Sequence, residues 1–118
     1  MRRTTWWALA LFLLLGCGAE AQHLWREIEV RGGTVQVKYA DPPIYGSHTL
    51  SFYWVAEGAD AELLGIAELD NDGANLGEEN LWVVEETEER LVVALSGQQM
   101  EEELWEVVFG AGELRRVE

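Results

Sequence analysis

The sequence predicts an all-β domain: a single small antiparallel meander of about eight strands, closed or nearly closed into a barrel, with a two-sheet β-sandwich as the alternative. Three observations carry that expectation. Short segments alternate apolar and polar positions, the pattern that buries one face of a strand. Clusters of Gly, Pro, Asn and Asp separate them. No interval between them matches the crossover of a dozen or more residues that parallel pairing requires.

Leu24 to Arg31 and Thr34 to Ala40 flank Gly32-Gly33, a pair in which both residues can take the positive φ of a tight hairpin turn. A two-residue loop there pairs Val30 with Val35, Ile28 with Val37 and Arg26 with Tyr39 on a mostly apolar face. The opposite face pairs Glu29 with Gln36 and Glu27 with Lys38, the latter of opposite charge. Asp41-Pro42-Pro43-Ile44-Tyr45-Gly46-Ser47 reads as a loop, because two prolines and a glycine exclude regular structure. Thr49 to Ala56 follows as a strand that turns Leu50, Phe52 and Trp54 to the core, and Glu57-Gly58-Ala59 breaks it. Asp60 to Leu69 fits two patterns. Asp60 could cap a helix carrying Leu63, Ile66 and Ala67, whereas Leu64 and Ile66 alternate between Glu62 and Glu68 as in a strand. Gly65 favours the strand, since glycine weakens a helix interior by roughly 1 kcal/mol. The polar interval Asp70 to Asn80 is a loop. Strands Leu81 to Glu85 and Arg90 to Ser96 come next, joined by the acidic turn Glu86-Thr87-Glu88-Glu89. Glu103 to Phe109 alternates Trp105, Val107 and Phe109, and Gly110-Ala111-Gly112 turns the chain into a final strand, Leu114 to Val117.

Ahead of this body stand Arg2 and Arg3, an uncharged run from Trp6 to Leu15, and then small residues, the three-part layout of a secretory signal peptide. The run is half the length of about 20 residues that a membrane-spanning helix needs. Residues 1–21 are therefore read as signal and residues 22–118 as one all-β domain, exported to the bacterial cell envelope as a periplasm-facing protein or freely secreted. Leu14-Leu15-Gly16-Cys17 resembles the bacterial lipoprotein signal, and that resemblance implies a diacylglyceryl group on Cys17, which becomes the mature N-terminus. Ala19-Glu20-Ala21 before Gln22 fits ordinary cleavage after Ala21 equally well. Cys17 is the sole cysteine of the chain, so no internal disulfide accounts for it. Any membrane contact is expected only through that lipid.

The full chain carries 8 basic and 22 acidic residues. Without Arg2, Arg3 and Glu20, residues 22–118 keep 6 basic and 21 acidic ones, a net charge of −15. Such a field repels nucleic acid and speeds encounter with cationic partners. Solubility, or adaptation to a salty medium, explains the same composition without a partner.

No catalytic constellation stands out, and neither cofactor nor metal is expected. Asp70-Asn71-Asp72-Gly73 opens like a calcium loop, but Ala74, Asn75 and Leu81 stand where a ligand, a glycine and a glutamate are needed. Asp41, Ser47 and His48 have the residue types of a hydrolytic triad, yet adjacent residues of an extended chain point to opposite sides, and no Gly-x-Ser-x-Gly elbow is present. The expected partner contacts are Trp25, on the polar face of the first hairpin, Tyr45 in the proline loop, and His48 as a surface residue. The function expected is a non-catalytic module that binds a cationic envelope or secreted protein, for instance as inhibitor of a basic wall-degrading enzyme. The alternatives are a carboxylate-based hydrolase on a small barrel and a purely structural envelope lipoprotein.

Overall fold

A computed structural model of the chain describes residues 22–40, 47–71, 74–98 and 100–117. Eight antiparallel strands form two four-stranded sheets. The first sheet holds β1 (His23–Val30), β2 (Gly33–Ala40), β3 (Ser47–Ala56) and β4 (Glu62–Asp70) in chain order. The second holds β5 (Leu81–Glu86), β6 (Arg90–Leu95), β7 (Glu103–Val108) and β8 (Glu113–Val117), also in chain order. Each sheet is the expected meander, but β4 does not pair with β5, so the two do not close into a barrel. The sandwich alternative describes the molecule. No helix among the described residues is long and apolar enough to cross a membrane.

The sheets share one core. Val35, Val37, Leu50, Phe52, Leu64, Ala67 and Leu69 from the first meet Leu81, Leu91, Val93, Leu95 and Val107 from the second. Burying a leucine or phenylalanine side chain contributes about 1.5–3 kcal/mol, so this cluster dominates stability. Trp54 and Phe109 close its hairpin end with ring centroids 5.3 Å apart.

Two amides make the passage from β4 to β5 possible. Asn71 is buried, donates through Nδ2 to Ala74 O and Asn75 O at 3.3 Å each, and accepts from the Gln98 N–H at 3.1 Å. Asn80 closes a short 3-10 turn (Glu78–Asn80). It accepts from the Gly77 N–H at 2.8 Å and donates to Ser96 O at 2.8 Å, while its own backbone oxygen accepts from the Ser96 N–H at 3.0 Å. Buried backbone that leaves a sheet must find partners elsewhere, and these amides provide them.

The first hairpin corrects the expected register. The turn is Arg31-Gly32, and Val30 pairs with Gly33, Ile28 with Val35, Glu29 with Thr34 and Glu27 with Gln36. Gly32 alone takes positive φ, at 89°. Gly33 instead begins β2, where a Cβ would lie 2.5 Å from Val55 O and 2.8 Å from the Trp54 ring. The shift moves every partner by two residues, so the faces survive while Glu27 meets Gln36 instead of Lys38.

Within residues 60–69 the chain is strand from Glu62 onward, not helix, and Gly65 has a packing reason: its missing Cβ would sit 2.8 Å from Leu114 Cβ of the facing sheet. A bulge at Leu64, between Leu63 opposite Tyr53 and Gly65 opposite Phe52, changes the alternation. Leu64, Ala67 and Leu69 are buried, and Ile66, expected on the side of Leu64, is 55% exposed.

Candidate protein-binding surface

Alternating up-and-down strands bring four turns to one end of the sandwich, and local contacts join them. The Glu57 N–H donates to Gly32 O, linking the two turns of the first sheet. Phe109 N–H donates to Glu89 O at 3.0 Å, linking the two turns of the second. Arg31 pairs with Glu88 and bridges the sheets. Glu29, Glu57, Asp60, Glu86, Glu88, Glu89 and Glu113 are all exposed here. A depression of about 410 Å³ lies between the first-sheet turns, lined by Glu29, Gly33, Thr34, Val55 and Glu57.

The basic side chains are already committed. Arg26 donates to Glu78 O and Leu81 O at 3.1 Å each and lies 5.3 Å from the centre of the Trp25 ring. Lys38 Nζ sits 4.9 Å from the Tyr53 ring centre. Arg90 donates to Glu106 at 2.9 Å and to Glu85 at 3.1 Å, hydrogen bonds that hold its guanidinium above the usual arginine value. Arg115 lies 3.3 Å from Glu106, and Arg116 lies 3.4 Å from Glu103. With Arg31, that accounts for all six cations after residue 21, against 21 acids. The excess negative charge faces solvent.

The second feature is β5, the edge of its sheet. From Trp82 to Glu89 every residue is exposed, and Trp82, Val83 and Val84 are three consecutive large apolar residues at 38%, 43% and 51%. Ser96 N–H bonds Asn80 O, and Leu81, Trp82 and Val83 lie opposite Leu95, Ala94 and Val93. By antiparallel alternation Leu81 and Val83 then direct their backbone N–H and C=O away from β6. Arg26 occupies the oxygen of Leu81. A bulge at Val84 resets the pattern, and the Thr87 N–H bond to Arg90 O places the backbone of Glu86 outward as well.

Of the residues expected from sequence, Cys17 and Tyr45 lie outside the described residues. Trp25 is half-buried rather than exposed. A bulge sets Trp25 and Arg26 together opposite Val37, which turns the indole from the polar face toward the core. His48 is a correction too. It lies within β3 at 2% exposure, 5.9 Å from the Tyr39 ring, and cannot meet a partner from there. Ser47 is likewise in the strand, not in a loop. The sequence held the clue to His48, which shares the parity of Leu50, Phe52 and Trp54. Among the described residues, no three His, Cys, Asp or Glu side chains are grouped to hold a metal ion.

No family model matches this chain, and no characterised protein or solved structure does. Its surface chemistry alone must supply the functional reading.

Proposed function

We propose that this chain is a small acidic, non-catalytic β domain of the bacterial cell envelope that is exported by a signal ending before Cys17, held on a membrane through acylated Cys17, and binds a cationic protein with its hairpin end and charged rim. The observation that carries this reading is the charge arrangement. The exposed acids at the converging turns outnumber the cations paired with them there, Arg31 with Glu88 and Arg115 with Glu113, so that end keeps an excess of negative charge.

The course of the chain supports the orientation. Gln22 lies on the outer face of the first sheet, where it donates to Ser51 Oγ and accepts from the Tyr53 hydroxyl, each at 3.1 Å. Five steps of chain from Cys17 reach at most about 17 Å. β1 then runs away from that point for eight residues, about 26 Å, to the Arg31-Gly32 turn. A domain tethered at Cys17 thus presents the hairpin end away from the membrane, and anionic headgroups repel its body in the same sense.

Titration with a small basic protein is the test. Binding should weaken at least tenfold between about 50 mM and about 500 mM salt, because exposed charges are screened over a Debye length. A complex indifferent to salt contradicts the proposal. The anchor is tested by the intact mass of the protein recovered from its host's envelope: a chain beginning at acylated Cys17 is expected, and one beginning at unmodified Gln22 removes the anchor.

A further inference from the structure

The edge of β5 narrows the partner's chemistry further, and the argument rests on the cationic-partner reading above. An edge strand exposes unpaired backbone groups and is a template for another strand, so proteins normally guard it with charge, bulges or cover. β5 is guarded selectively. Its centre, Trp82-Val83-Val84, is apolar and open, and the backbone groups of Val83 and Glu86 point outward. Exposed acids stand at both ends, Glu78 and Glu79 before the strand and Glu88 and Glu89 after it.

That arrangement disfavours a second copy. Antiparallel pairing of β5 with itself about its centre would set Glu78 and Glu79 beside Glu89 and Glu88 of the other chain, like charges in cross-strand contact at both ends. The same arrangement suits a strand with apolar residues at its centre and basic residues at its flanks. We infer that the β5 edge accepts an extended basic segment of a partner protein as a fifth strand of the second sheet. Main-chain hydrogen bonds to Val83 and Glu86 supply affinity, and the flanking glutamates select lysine or arginine.

A short synthetic peptide alternating valine and lysine is the probe, titrated into the full chain and into two variants. Val83→Pro removes the outward N–H, and proline is tolerated at such an edge position. Val83→Lys leaves the backbone intact and opposes the peptide's charge, so it serves if the proline variant fails to fold. Both should bind the peptide at least about tenfold more weakly than the natural chain. If both bind equally well, the edge is not the site, although salt-sensitive binding would still uphold the cationic-partner reading. If polylysine binds and the valine–lysine peptide does not, the edge inference alone falls. If neither binds at low salt, both readings fall. A dimer in sedimentation that Val83→Pro disperses would show a second copy on the edge and overturn the inference.

Discussion

β5 and β6 are neighbours in one hairpin, joined by a three-residue turn and hydrogen-bonded along their length, yet they live in opposite environments. β6, Arg90-Leu91-Val92-Val93-Ala94-Leu95, is buried on both faces apart from Arg90. β5, Leu81-Trp82-Val83-Val84-Glu85-Glu86, is exposed apart from Leu81. Both contain consecutive valines, so composition does not separate them. Place in the sheet does: β6 has a strand on each side and the facing sheet above it, whereas β5 ends its sheet. Apolar residues in β6 hold the molecule together, whereas those of β5 beyond Leu81 lie at the surface.

The contrast can be broken from either side. Leu95→Ala should have the largest effect, lowering stability by about 3 kcal/mol in urea unfolding, because a fully buried leucine leaves a cavity in the shared core. Asn80→Ala should cost about 2 kcal/mol by the same measurement, since the Gly77 N–H and Ser96 C=O lose their partner where β5 begins. Gly65→Ala should cost about 1–2 kcal/mol by pressing on the Leu114 Cβ, and pairing it with Leu114→Gly, which removes that Cβ, should give a smaller loss than the two single costs added together. Val84→Ala on β5 should change stability by less than about 0.5 kcal/mol. If Val84→Ala cost as much as Leu95→Ala, the edge would be structural and the contrast would fail.

Much of the fold was legible because alternation records burial directly. The even positions of β3, from Leu50 to Trp54, face the core as their pattern requires, and so do Val35 and Val37. What alternation does not record is an inserted residue. The bulges at Trp25 and Leu64 each reverse a face, and neither carries a distinctive residue type. Closure was equally hidden. Eight meandering strands fit a barrel or a sandwich, and the outcome depends on whether β4 and β5 pair. Asn71 and Asn80 hold residues 74–77 in a non-strand path, but as polar residues in a loop they look like ordinary turn formers. The candidate surface was half legible. Net charge and the acidic turn are written in the sequence, whereas the exposure of Trp82, Val83 and Val84 follows from strand order, which only the fold provides.

Amide hydrogen exchange on the natural chain, with and without the valine–lysine peptide, tests the account most directly. The amides of Val83 and Glu86 should exchange quickly in the free protein while those of β6 exchange slowly, and both should become protected when the peptide binds. Slow exchange at Val83 and Glu86 in the free protein, or no change on addition of bound peptide, would contradict an open, partner-accepting edge at β5.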